Sequence, residues 1–304
     1  MKLIWRLLKY LPPSFLTFIK RHSNSKARLW IRQKFGAGYE AIPDQIWSVP
    51  DGRKFHIGPD FIYWPIYMGL DFEPEPSSVV RQLVRPGDIV VDVGANFGWY
   101  TTLFAQAVDT SGRVFAFEPV PSTHERLAEN LELNQLQARV TVVRSAVADS
   151  PGTATVHVFK SRSHACASLS TLNERDYEAV EAPLIKLDEY LSGQAIERVD
   201  FLKCDVEGAE LAVLRGCGDL LRSPEAPIIL VELNEKTIHA FGYVKDDIWR
   251  YLSETGYDHF YEIASSGKLR RITQDGDIQH DLLLCAKKGK VEERLINSSI
   301  TVMG

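Results

Sequence analysis

Four apolar runs of this chain end in side chains that can hold a proton or a cation. DIVVDVGA (88–95) carries Asp92 and passes into Gly94-Ala95-Asn96-Phe97-Gly98. RVFAFEP (113–119) ends in Glu118 and Pro119. DFLKCDV (200–206) offers Lys203 and Asp205, with Glu207 next, and PIILVEL (227–233) offers Glu232, followed by Asn234. Gly94 permits a tight turn and Gly98 opens a helix with no side chain in the way, as a loop under a cofactor requires. A dinucleotide fingerprint needs glycine at 96 and a small residue at 99. Asn96 and Trp99 stand there, and Trp99 is too large for the close helix–strand packing that accompanies a pyrophosphate cradle. A ligand without phosphates, with an amino-acid end and a nucleoside end, fits better, and S-adenosylmethionine is such a ligand. Asp92 would receive its ammonium and Glu118 both ribose hydroxyls. The expected cofactor set is Asp92, Gly94, Ala95, Asn96, Gly98, Glu118, Pro119 and, at the end of a third strand, Asp149. The plainer alternative for Asp92, Glu118 and Asn96 is capping or turn chemistry.

A sulfonium ligand of this kind would offer its methyl group to in-line displacement. Such a displacement needs an acceptor atom about 3 Å from the methyl group and a home for one proton. On a strand, 203, 205 and 207 share a face. Asp205 is the expected general base, with N-cap of a 207–215 helix as its structural alternative. Glu207 is either a second catalytic carboxylate or a first-turn acid complementing the helix dipole. Lys203 would pair with Asp205 or Glu232 and keep them ionised. Glu232 and Asn234, with His164 and Ser168 from a polar loop over 160–176, are the expected acceptor contacts. The main reading includes no metal. An alternative uses Asp205, Glu232 and Asn234 as three hard oxygen ligands for Mg²⁺, which would lower the pKa of an acceptor diol.

These residues need a frame that gathers strand ends. From residue 85 onward short apolar runs alternate with amphipathic segments, which predicts a mostly parallel sheet covered on both faces. Ligands of such sheets lie beyond the strand C-termini, where the candidate residues stand. The expected strands are 88–95, 113–119, 140–149, 154–159, 200–206 and 227–233, with YDHFYEI and DLLLCAK closing as an antiparallel pair. Residues 40–84 are rich in aromatics, and Asp51-Gly52 between IWSVP and RKFHI marks a hairpin turn.

The 304 residues, 45% hydrophobic and 25% charged, have ordinary globular composition, which excludes fibrous, disordered and multi-span membrane classes. Four cysteines without zinc spacing indicate buried thiols in a cytoplasmic protein. Residues 1–39 hold nine Lys/Arg and no acid, while the remainder carries 26 basic and 40 acidic side chains, a net of −14. An acidic body argues against nucleic acid as a partner. Leu3, Ile4, Leu7, Leu8 and Leu11 share one side of a helical wheel that Pro12-Pro13 ends. Residues 1–35 therefore read either as a peripheral foot on the inner face of a membrane or as a helix packed on the body or on a second copy in a homo-oligomer. The expected division is a basic arm over 1–39, a cap over 40–84, the main domain over 85–290 and a tail over 291–304.

VVDVGANFGWYT, FEPVPSTHERLAENLELN, and above all LDEY with VDFLKCDVEGAELAVLRG and IILVEL, make the chain similar to the FkbM family of S-adenosylmethionine-dependent methyltransferases over about residues 65–265. The resemblance implies an α/β, Rossmann-like class I fold: a mostly parallel seven-stranded sheet with an antiparallel C-terminal strand, here with an N-terminal helical and hairpin extension. It also implies methyl transfer to a hydroxyl of a saccharide or other small molecule. Two other functions are weighed against it: a membrane-associated scaffold that binds the cofactor without turnover, and an NAD(P)-dependent oxidoreductase or epimerase, which Trp99 disfavours.

Overall fold

The computed structural model describes residues 44–67, 71–159, 167–170, 177–264, 267–273, 278, 281–295 and 300–303. The basic arm and His164 lie outside them. The chain divides between Phe72 and Glu73 into two compact units. In the first, β1 (Gln45–Ser48) and β2 (Lys54–Ile57) pair antiparallel around Gly52, whose φ of 87° meets the requirement of the turn. The rings of Trp47 and Tyr67 lie 5.5 Å apart in the same unit.

The second unit is built on a nine-stranded sheet. Its parallel centre consists of β3 (Ile89–Val93), β4 (Arg113–Phe117), β5 (Val140–Val143), β10 (Phe201–Cys204) and β11 (Ile228–Glu232). The spatial order is β5-β4-β3-β10-β11, so the chain reverses direction across the sheet between β3 and β10. β14 (Leu282–Ala286) adds antiparallel to β11, and β12 (His259–Ile263) antiparallel to β14. These seven strands are the expected sheet. Two more extend it: β13 (Leu269–Ile272), antiparallel to β12, and β15 (Val302–Met303), parallel to β13. Val91, Val93, Leu202, Cys204, Ile229 and Val231 are buried in one continuous core with Leu211, Leu214, Ile248 and Leu252 from the covering helices. Val90, Phe201, Ile228 and Leu230, on the opposite face, are buried as well, and burial on both faces is why these strands read as unbroken apolar runs.

Several boundaries differ from expectation. The third parallel strand stops at Val143 and does not reach 149; the chain turns at Ser145 into β6 (Ala146–Val147), which belongs to a second sheet. That sheet, ordered β6-β9-β7-β8, contains β7 (Gly152–Phe159), β8 (Ala167–Ser168) and β9 (Tyr177–Ile185). β7 and β9 pair antiparallel from Gly152↔Leu184 to Phe159↔Tyr177. No strand was expected over 177–185, because Glu178, Glu181 and Pro183 break its apolar alternation, and its stability comes from pairing. The division at Phe72/Glu73 also moves helix Pro74–Leu83, expected in the cap, into the main unit. Within the expected 291–304 tail, the described residues join the main unit. Helix Lys290–Leu295 sends Arg294 onto Asp88, Asp200 (3.5 Å) and the Leu83 carbonyl (3.1 Å), and β15 joins the sheet. Among the described residues no helix is long and apolar enough to cross a membrane.

Candidate functional site

The register of the parallel strands sets the site. Lys203 of β10 lies opposite Asp92 of β3, and in-register neighbours project to the same face. Both side chains are buried, with Lys203 3% exposed. The Lys203 ammonium sits 2.9 Å from Asp205 Oδ2, 3.9 Å from Asp92 Oδ1 and 5.0 Å from the centre of the Tyr100 ring. Burial alone would lower its pKa, but Asp205 and Asp92 override this and hold it above the ordinary lysine value. Asp92 is pushed up by burial, against the pull of Lys203 and of the Thr101 hydroxyl, which donates to Oδ2 at 2.6 Å. Asp92 Oδ1 is buried and makes no hydrogen bond.

The glycine loop folds directly above. Gly94 has φ 78°, and a Cβ there would lie 1.8 Å from the Asp205 carbonyl oxygen, so only glycine lets the two strand ends touch. The amides of Gly94 and Ala95 both donate to the Phe117 carbonyl at 3.0 Å. Asn96 adopts φ 53° and its Oδ1 accepts from the Phe97 amide at 2.7 Å, which is the turn role weighed for it. Gly98, at φ 92°, opens helix Trp99–Ala107 against Leu127, whose Cδ1 a Cβ would approach to 2.5 Å. Glu118 closes the loop: Oε2 accepts from the Asn96 amide at 2.9 Å and Oε1 from the Val120 amide at 3.0 Å. Burial lifts its pKa to about 7, against those two hydrogen bonds. Pro119 beside it is half-buried. Asp149 is not at a strand end. It is exposed, six residues past β5, with its Oδ1 accepting from Ser150 Oγ at 3.1 Å. Trp99 is fully buried, its indole N–H donating to Ser77 Oγ at 2.8 Å.

Beyond β10 the chain does not enter a helix at 207. Glu207 (φ 54°) and Gly208 (φ 114°) are both left-handed, and the helix runs Glu210–Gly216 with Ala209 as N-cap. Asp205 is therefore no cap; its side chain is 30% exposed and paired with Lys203. Glu207 is not in a first helical turn. Ser168 Oγ donates to the Glu207 carbonyl at 2.7 Å, which brings β8 of the second sheet to this loop. Glu232 ends β11, with the Asp205 carboxylate as its nearest charged influence. Burial and then the charges of Asp205, Glu207 and Glu210 push its pKa well up. Its Oε2 is buried without a hydrogen bond. Asn234 Oδ1 accepts from the Lys236 amide at 3.2 Å as N-cap of helix Glu235–Ala240. The Mg²⁺ alternative finds no support in this arrangement. Asn234 Oδ1 is engaged with the Lys236 amide in the cap. Among the described residues no group of three or more His, Cys, Asp or Glu could hold a metal ion.

Sequence reasoning passed over four contributors. Thr101 follows Asp92 by nine positions, a spacing that carries no local signal. Tyr100 donates to Glu73 Oε2 at 2.6 Å across twenty-seven positions. Glu210, the last acid of DVEGAE, accepts at Oε1 from the amides of Val206 and Gly208, both at 3.1 Å. Tyr243 reaches the same loop from thirty-five positions away. Glu210 alone had a usable cue, as an acid two residues after a glycine at a helix start.

A family model described as the methyltransferase FkbM domain matches residues 92–258. The chain is 29% identical over 181 residues to the hexuronic acid methyltransferase AglP of Haloferax volcanii, covering 59% of this chain and 68% of that protein. It is 28% identical over 163 residues to the 31-O-demethyl-FK506 methyltransferase FkbM of Streptomyces tacrolimicus, covering 45% and 62%. The chain thus spans about two thirds of the length of these relatives. Among solved structures, a SAM-dependent O-methyltransferase from Thermotoga maritima aligns with a TM-score of 0.41 at 17% identity, over 81% of this chain and 78% of that one.

Proposed function

The chain belongs to the methyltransferase FkbM domain family, and from that membership we propose that its S-adenosylmethionine-dependent methyl transfer is directed to a hydroxyl oxygen of a saccharide, on a glycan, a glycolipid or a related metabolite. A relative named for a hexuronic acid supports a sugar as the acceptor. The observation that carries the cofactor assignment is Asp92 Oδ1, a buried carboxylate oxygen with no hydrogen-bond partner beneath a glycine loop. Lys203 lies 3.9 Å from it, beyond hydrogen-bond reach; a buried acceptor without a hydrogen bond is costly, and the ammonium of an amino-acid end would satisfy it. Glu118, with one backbone amide on each oxygen, keeps lone pairs for the two ribose hydroxyls. When bound, the cofactor supplies an electrophilic methyl group on sulfur.

On the acceptor side, Asp205 takes the hydroxyl proton. It lies on the loop whose carbonyl abuts Gly94, and its half-open position lets an acceptor reach it. The Lys203 ammonium, 2.9 Å from Oδ2, fixes the orientation of this carboxylate. Ser168 and Glu207 border this side. The test is titration calorimetry with S-adenosylhomocysteine together with transfer of labelled methyl into fractionated cell extract. We expect Asp205→Asn to bind the nucleoside within a few-fold of the parent and to lower incorporation by about 10²-fold or more, the usual range for removing a general base. No binding of S-adenosylhomocysteine by folded protein refutes the cofactor assignment. Label in a protein or nucleic-acid fraction alone refutes the saccharide.

A further inference from the structure

The loop from Asp205 to Ala209 carries two residues assigned to the acceptor side, yet its own backbone is unfavourable. A non-glycine residue in the left-handed region, as at Glu207, costs about 1 kcal/mol or more and persists only where the surroundings impose it. Three side chains from separate segments do so. Ser168 Oγ holds the Glu207 carbonyl, and Glu210 Oε1 holds the amides of Val206 and Gly208. The third is Tyr243, in the connection between helices Glu235–Ala240 and Lys245–Glu254. Its hydroxyl donates to the Gly208 carbonyl and accepts from the Leu211 amide at 3.2 Å, an N–H of the first helical turn that no helical carbonyl can reach. Glu210 Oε2 lies 3.3 Å from the same hydroxyl. Two residues earlier Phe241 packs on the loop so closely that a Cβ at Gly208 would lie 2.7 Å from its ring.

We propose that Tyr243 is a positioning residue for methyl transfer: by clamping Gly208 and Leu211 it holds the Asp205–Glu207 loop in the geometry that the acceptor requires. The inference rests on the reading of Asp205 as acceptor-side base, and it adds a residue that contacts neither the reacting atoms nor the glycine loop. One phenol hydroxyl serves both ends of the strained turn, so its removal frees a carbonyl and an amide together. The cofactor wall is held separately, through Asp92, Thr101 and Glu118. Loss of the clamp should therefore fall first on the acceptor side, although the Asp205 carbonyl touches the cofactor wall at Gly94.

Tyr243→Phe keeps the ring and deletes the clamp. With S-adenosylhomocysteine as the calorimetric probe, affinity should stay within about twofold of the parent. With labelled donor and cell extract, the donor KM should be unchanged and the rate at saturating donor should fall about tenfold or more, because small misplacement of reacting groups is expensive. Amide hydrogen exchange over 206–211 should accelerate at least tenfold, with the Asn96–Gly98 amides unaffected. A parental rate at saturating donor overturns the proposal. So does an equal loss of donor affinity and rate, which would make Tyr243 a general structural residue. Asp205→Ala is run in parallel. If it retains activity while Tyr243→Phe loses it, the base assignment fails and the clamp stands; the reverse pattern fails the clamp and keeps the base.

Discussion

Glu118 ties its stability to pH in a way that a single isosteric change exposes. Its pKa is about 7 in the fold against 4.5 in an unfolded chain. Between those values the folded state holds a proton that the unfolded state has released, so stability falls as pH rises through the window. Its contribution is complete below pH 4.5 and is lost as pH passes 7. The gap of roughly 2.5 units, at about 1.4 kcal/mol per unit, is worth about 3 kcal/mol. Glu118→Gln cannot ionise. It presents one amide N–H to a backbone N–H of Asn96 or Val120, a mismatch that costs about 1–3 kcal/mol at every pH. The variant's melting temperature should therefore lie below the parent's at pH 4.5, and the difference should shift in the variant's favour by about 6 °C by pH 8, at about 2 °C per kcal/mol for a domain of this size. Differential scanning calorimetry of both proteins at half-unit steps measures this. The slopes of the other buried carboxylates appear in both curves and cancel. Parallel curves, with a constant offset from pH 4.5 to 8, would refute a buried, proton-holding Glu118.

The ribose contact predicts in turn that affinity for S-adenosylhomocysteine rises with pH up to about 7 and then levels, because the ionised carboxylate is the better acceptor for two hydroxyls; a flat calorimetric profile from pH 6 to 8 contradicts it. Asp92→Asn leaves Thr101 a partner but removes the charge, and should weaken that affinity at least about tenfold with the fold intact by circular dichroism. Gly94→Ala should be severely destabilising, by about 3 kcal/mol or more in urea titration, since its Cβ would overlap the Asp205 carbonyl at 1.8 Å and no side chain can yield. Arg294→Ala should cost about 2–3 kcal/mol in the same assay, because it removes the cation from buried Asp88 and releases helix Lys290–Leu295, while Asp200 keeps Arg198 at 3.2 Å; a neutral result would refute that anchoring role.

Local chemistry made much of the molecule legible in sequence. Apolar runs of five to eight residues, each ending in an acid and followed by an amphipathic segment, specify a parallel sheet with its ligand at the strand ends, because burial on both faces leaves no polar alternation to confuse the period. Gly94 and Gly98 announced their loop because only glycine adopts its dihedrals without cost. Trp99 argued against a dinucleotide by size alone. The FkbM likeness at DVEGAE was visible without coordinates.

Tertiary structure alone decided what these residues do to one another. Lys203 and Asp92 are 111 positions apart, and strand register, a product of the whole sheet, makes them neighbours. Asp205 resembled a helix cap because cap chemistry is local, but the helix begins at Glu210, and the turn before it is stabilised by Ser168 and Tyr243 from distant segments. Asp149 read as a strand end because an apolar run does not reveal where one sheet hands its chain to another. Composition and periodicity record what a segment prefers by itself. Register, strained turns and buried ion pairs exist only after segments from different parts of the chain meet, and the energies that fix them come from that meeting.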